Sequence, residues 1–474
     1  MRALKNITGG LVAIFTLFVN QYSYAQMLTV SDNNQYIQYA EGKPFFWLGD
    51  TAWELFHRLN REDAKMYLED RADKGFTVIQ AVVLAEMSGL SEPNAYGHLP
   101  LIDRDPAQPN EAYFEHVDFI VDYAAKLGLF VGMLPTWGDK VTNKNGGEPV
   151  IFNPENAKSF GEFLGKRYKE MPIVWILGGD RNIHNDYELE VWRAMANGLK
   201  AGDGGNHLIT YHPRGASSSH EMVHNESWLD FNVYQSGHSN RYTQVYRYAE
   251  TLLDIEPRKP FFDAEPAYED IAIEFWKYID WSKLLRVPAN VLDDDYLIVE
   301  KGHFQQGFFT DHDVRVHAYW NILSGACGYT YGTNAIWQMF EKKGRFAIPA
   351  LSDWRDALDL DGAHHMTHVR NIFEKYPFEK IVPAQQLILG ENPRDSTHVR
   401  AAFADDRSFA LVYLSVGQKV DVDVSGFDKR VKARWFNPRD GEFSRIGTFR
   451  NKEKISFIAP SSGTGNDWLL ILEF

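Results

Sequence analysis

The chain has 474 residues, 44% of them hydrophobic and 14% aromatic, with a formal net charge of −15 and one cysteine, Cys327. That length can bury one large core and a second, smaller one. The charge argues against nucleic-acid backbones and anionic membrane surfaces as partners, and a lone cysteine excludes an internal disulfide, so packing has to supply the stability.

Residues 1–25 carry Arg2 and Lys5, an apolar run over 11–19, and then Ser23-Tyr24-Ala25 before Gln26. They read as a signal peptide cut after Ala25. A membrane span needs roughly 18 to 20 apolar residues, and this run has about half that. No cysteine follows it to carry a lipid anchor. The expectation is an exported bacterial protein, periplasmic or secreted, without a membrane span and acting as a monomer.

From 44 to 337 short apolar runs alternate with longer amphipathic ones, the pattern of βα units around a parallel sheet. Eight strands are predicted: FFWLGD (45–50), TVIQAVVL (77–84), LFVGMLPTW (129–137), IVWILGGD (173–180), HLITYH (207–212), FNVYQSG (231–237), PFFDAE (260–265) and ACGYTYG (326–332). Helices are predicted over 61–74, 111–127, 154–169, 186–199 and 313–324. Tyr113, Val117, Ile120, Val121 and Ala124 have helical spacing. The fold class is therefore a (β/α)8 TIM barrel over 26–375. Beyond it, 376–474 read as short alternating strands of an antiparallel β-sandwich. In that sandwich Trp435 and Trp468 suit either sugar binding or its core.

Reacting groups of such barrels sit at the C-terminal ends of the strands. Those positions hold Asp50 and Trp53, Gln80 and Glu86, Trp137, Asp180 with Arg181 and Asn182, His212 with Arg214, Tyr234 with Gln235 and His238, Glu265 with Tyr268, and Tyr331 with Asn334 and Trp337. Asp180 and Glu265 each follow a strongly apolar strand, the fourth and the seventh, on facing parts of the rim. Glycosidic hydrolysis needs one carboxyl to protonate the leaving oxygen and a second to attack. A retaining enzyme holds the two about 5 to 5.5 Å apart.

The remaining candidates for binding substrate are Asp50, Trp53, Gln80, Trp137, Arg181, Asn182, His212, Tyr234, Gln235, Tyr268 and Tyr331. The tryptophans offer stacking faces, and the guanidiniums of Arg181 and Arg214 match a sugar carboxylate. Structural alternatives exist for the pair. Asp180 can cap a helix after the Gly178-Gly179 turn, and Glu265 can be a buried partner of an arginine. A zinc site built from Asp50, His212 and His238 lacks the close ligand spacing usual for that metal. The run Asp293-Asp294-Asp295 lacks the glycine and distal glutamate of a calcium loop. No cofactor and no metal is expected. A barrel that only binds carbohydrate would have no need of the carboxylate pair.

In that order, the motifs FFWLGDTAWELF, ILGGDRN and DAEPAYE, followed by an alternating C-terminal region, make the chain resemble glycoside hydrolase family 140. Its members join a domain of unknown function to a collagen-binding-type tail. The resemblance implies a pectin-directed apiosidase that cuts the apiose to galacturonic acid linkage in side chains of rhamnogalacturonan II. It implies Asp180 as the acid/base in ILGGDRN and Glu265 as the nucleophile in DAEPAYE. Related barrel glycosidases place a glutamate at the end of the fourth strand, so an aspartate there shortens the reach of the acid.

Overall fold

The computed structural model describes residues 27–142, 144, 148–277, 306–342, 347–427, 430–450 and 454–474. The predicted signal peptide and Asp293 to Asp295 lie outside the described residues. The strands Leu28–Val30 (β1) and Ile37–Tyr39 (β2) form an antiparallel hairpin. It lays Leu28 and Ile37 against the barrel core.

Each of the eight predicted barrel strands is present: β3 (Trp47–Thr51), β4 (Val78–Leu84), β5 (Phe130–Thr136), β6 (Ile173–Gly178), β7 (Ile209–His212), β9 (Asn232–Gln235), β10 (Phe261–Asp263) and β11 (Gly328–Tyr331). The two-residue strand β8 (Ser217–Ser218) pairs antiparallel with β9 inside a loop. A parallel sheet runs β11-β3-β4-β5-β6-β7, and β9 and β10 pair parallel beside it. Hydrogen bonds bridge the two seams. Asp230 N donates to Ile209 O at 2.9 Å, and Cys327 N to Phe261 O at 3.0 Å.

All residues of β4, β5 and β6 are buried, because lumen and helices cover both faces; hence their unbroken apolar runs. The helices follow the predicted periodicity. Glu111–Lys126 buries Tyr113, Val117, Ile120, Val121 and Ala124 as one stripe. Asn60 and Asn153 cap the starts of Arg61–Asp73 and Pro154–Tyr168 by accepting backbone N–H bonds.

Two antiparallel sheets follow. One has the order β12 (Ile381–Pro383), β14 (Val399–Ala404), β15 (Phe409–Leu414), β20 (Trp468–Glu473), β17 (Val431–Phe436) and β18 (Phe443–Phe449). The other consists of β13 (Ile388–Leu389), β16 (Val420–Val422) and β19 (Ile455–Phe457). Leu411, Tyr413, Leu469 and Ile471 of the larger sheet join the barrel core, with the Tyr413 ring stacked on Tyr319 at 4.5 Å. The opposite face, including Val412, Leu470 and Leu472, packs against Val422, Ile455 and Phe457 of the smaller sheet. Trp435 and Trp468 belong to that inner layer and are buried, so they brace the sandwich instead of offering a face to sugar.

Ion pairs tie the two parts together, Arg400 to Glu250 at 2.7 Å and, fully buried, Arg315 to Asp467. Arg315, in the helix Asp311–Ile322, donates to both oxygens of Asp467, Nη2 to Oδ1 at 2.9 Å and Nε to Oδ2 at 3.1 Å. Both side chains are fully buried. Arg315→Met would leave Asp467 as a buried charge with one partner fewer, at a cost of about 3 to 5 kcal/mol. Urea unfolding of the full chain measures it; a loss within about 0.5 kcal/mol, the range of ordinary surface substitutions, would contradict it.

Candidate active site

The acid candidate stands on a strained turn. Gly178, Gly179 and Asp180 all have positive φ, at 84°, 110° and 48°. A Cβ on Gly178 would lie 2.3 Å from the His212 carbonyl oxygen, and one on Gly179 2.7 Å from the Trp137 ring. Glycine is therefore required at both places. Asp180 holds the left-handed region without that freedom, a strain that clusters at functional sites. It caps no helix: Asn185 accepts the bond that starts Asp186–Asp203.

The Asp180 side chain keeps about 35% exposure, with Arg181 Nη1 3.3 Å from Oδ2. Gly215 N donates to Oδ1 at 3.4 Å. Burial of its carboxyl and then the nearby Glu265 charge push its pKa up, with Arg181 and His212 opposing.

Glu265 lies two residues past the end of β10, where strand alternation no longer dictates direction. Only 8% of its side chain is exposed. Histidines, not an arginine, hold it. His238 Nε2 hydrogen-bonds Oε1 at 3.3 Å, and His212 Nε2 lies 3.2 Å from Oε2. The second contact is the looser of the two in hydrogen-bond geometry, yet it lowers Glu265 by hydrogen bonding as well as by charge. Burial alone would raise the carboxyl, but the two imidazoles outweigh it and hold Glu265 down to about 2. One carboxyl pushed up and its neighbour pushed down is the division of labour that acid and nucleophile need.

Several expected residues converge on this pair. Trp53 and Trp137 pack at 5.2 Å, and His212 meets Trp53 edge-on at 5.4 Å. Gln80 donates from the lumen to Ala264 O at 2.9 Å, steadying the segment that carries Glu265. The Tyr268 hydroxyl is buried beside Glu265, Thr51 and Trp53, and its ring packs on His238 at 4.5 Å. Gln235 ends β9 beside Gly215. Asn182 knits the loops around Asp180, donating to Ser217 Oγ and accepting from Arg214 N, each at 2.9 Å. Gln80 Oε1, Trp137 Nε1 and Gln235 Oε1 are buried with no hydrogen-bond partner among the described residues.

Three expected residues are not brought to the site. Asp50 accepts from Tyr67 Oη and Arg71 Nε, each at 2.6 Å, between β3 and the helix Arg61–Asp73. Tyr234 bonds Asn321 and stacks on Tyr248 at 4.8 Å. Tyr331 donates to Glu269. All three point outward to the helix layer, since alternate strand residues face opposite ways. Asp50 thus lies on the other side of the wall from His212 and His238, and the three do not converge.

Two residues expected at strand ends, but not among the substrate-binding candidates, also belong to the site. His238, three positions past β9, is a principal support of Glu265. Glu86, two positions past β4, lies 3.4 Å from Arg181 Nη2. Burial pushes Glu86 up to about 8 against the pull of Arg181, with Asp139 and Asp180 adding to the rise. Their only sequence signal is a polar residue just beyond a strand end, which many loop residues share.

A protonated Asp180 and an ionised Glu265 give the active form, so kcat/KM should rise through a pKa near 2 and fall through the raised pKa of Asp180. Arg181 pulls Asp180 down. In Arg181→Gln the alkaline limb should therefore move to higher pH; a pH–rate profile with that limb unmoved or lowered would contradict the assignment.

A closed parallel barrel with a carboxyl pair at its C-terminal rim defines the class, and solved structures agree. One, a glycoside hydrolase, is 32% identical at a TM-score of 0.81, with 94% of this chain and 96% of that one covered. Another, a glycoside hydrolase family 5 protein from Bacteroides vulgatus, is 31% identical at a TM-score of 0.80, covering 94% and 93%. This protein is a glycoside hydrolase. Residues 31–380 match the apiosidase-like catalytic domain family and residues 382–473 the family described as "putative collagen-binding domain of a collagenase". The chain belongs to the apiosidase-like family. No curated protein matches it.

Proposed function

We propose that the protein is a retaining apiosidase of pectin, releasing apiose from its linkage to galacturonic acid in side chains of rhamnogalacturonan II. The observation that carries the chemistry is the split pair, Glu265 held down by His212 and His238 while burial and the Glu265 charge push Asp180 up. Family membership supports apiose. The exposed Arg214, at the rim beside Asn182, supports an acidic neighbour sugar, because a guanidinium matches a carboxylate.

In the first step a Glu265 oxygen bonds to the anomeric carbon as the bond to the leaving oxygen breaks, and Asp180 gives that oxygen its proton. Esterified Glu265 carries no charge, so one of the influences that raise Asp180 disappears. Asp180 then stays ionised and takes a proton from water, whose oxygen attacks the same carbon and frees Glu265. Export after cleavage at Ala25 would place the enzyme, as a monomer, where polysaccharide is met.

Digestion of rhamnogalacturonan II side-chain fragments, with product analysis, tests the proposal. Free apiose is expected. Release of another sugar would make this a glycosidase of different specificity, and binding without any release would make it a non-catalytic barrel.

A further inference from the structure

A groove of about 560 Å³ opens where the barrel meets the C-terminal sheets, far from the carboxyl pair. It is lined by Lys375, Lys380, Lys432 and Arg434, with Glu473 as its one acidic residue and Tyr376, Pro377 and Phe409 as its apolar wall. The fold dictates this composition. Lys432 and Phe409 both stand opposite Glu473 in the ladders β17–β20 and β15–β20, so these side chains share the barrel-facing side of the sheet. Along that side the buried Tyr376 and Phe409 rings meet edge-on at 5.2 Å. Beyond them the interface opens to solvent.

The cations outnumber their partners. Lys380 bonds Asp406 at 2.7 Å, outside the groove. Arg434 lies 3.4 Å from Glu473, which also accepts from Tyr376 Oη at 2.9 Å. Lys375 lies over the Phe443 ring at 4.2 Å. Lys375 and Lys432 are exposed and have no carboxylate within 4 Å among the described residues. In a chain of net charge −15, this is a local reversal of sign.

Its position separates it from the catalytic mouth. The helix Asp361–Lys375 begins where Gly362 N donates to Glu269, four residues past Glu265. Over its 15 residues it runs about 22 Å down the barrel at 1.5 Å per residue. Lys375 stands at the far end.

We propose that this groove is a second binding site, for an anionic polysaccharide whose repeating carboxylates meet Lys375, Lys432 and Arg434. It goes beyond the proposed apiosidase activity, being a place where the enzyme grips a uronic-acid chain away from the bond it cuts.

Affinity electrophoresis of the full chain in native gels containing polygalacturonate tests it, with neutral galactan and duplex DNA gels alongside. Retardation by polygalacturonate alone is expected, weakening as salt rises. Lys375→Ala/Lys432→Ala, both at exposed positions, should weaken it roughly fivefold, the scale of two exposed charge contacts. An unchanged thermal midpoint would show that the variant folds, and Lys432→Arg should restore binding where Lys432→Ala lowers it. Equal retardation of wild type and double variant, or stronger retardation by DNA, would overturn the site. Hydrolysis of the fragments is read separately: loss of apiose release with retardation intact removes the proposed activity and leaves the groove standing.

Discussion

Glu265→Gln is expected to lower kcat by about 10^4-fold or more, the scale on which loss of a nucleophile acts. Glutamine keeps the volume and can still meet His238, so the barrel should fold as before; what disappears is the charge that attacks. Glu265→Ala sharpens the test, since the space it opens admits a small anion. Azide should then restore turnover and give a glycosyl azide of inverted configuration, because it attacks from the side where Glu265 stood. A wild-type rate in either variant would remove Glu265 from the reaction.

Asp180→Asn should cost about 10^2- to 10^4-fold on sugar leaving groups, the range of general acid catalysis. Asparagine tolerates the left-handed conformation at φ 48°, so the turn is kept and only the proton is lost. An activated aryl glycoside needs no protonated leaving group, so its first step should be nearly unaffected while the second, which needs the base, becomes slow. A pre-steady-state burst of phenol followed by slow release measures this. Equal slowing of both substrates in the first step would contradict the role of Asp180 as acid.

The strand run was readable because each barrel strand is buried on both faces and therefore appears as a bounded apolar segment, such as IVWILG in β6. That same continuity hides direction. With no polar face to set the alternation, nothing in FFWLGD or ACGYTYG tells whether Asp50 and Tyr331 face the lumen or the helices, and both face the helices. Gly178-Gly179-Asp180 was legible as a turn; that it presents a side chain beside Glu265 depends on Trp137 and His212, from other strands, closing over the glycines. His238 and Glu86 sit on loops whose course is set by distant contacts. The Arg315–Asp467 pair, spanning 152 positions, has no local trace at all.

Trapping the glycosyl-enzyme tests the central assignment most directly. An apiose-based inactivator with an activated leaving group and a fluorine beside the anomeric carbon should let the first step proceed and stall the second. Peptide mass spectrometry is then expected to find one sugar, esterified to Glu265 and absent when Glu265→Gln is treated in the same way. A label on Asp180 or on any other carboxylate, or hydrolysis by wild type to a product of inverted configuration with no label at all, would contradict it.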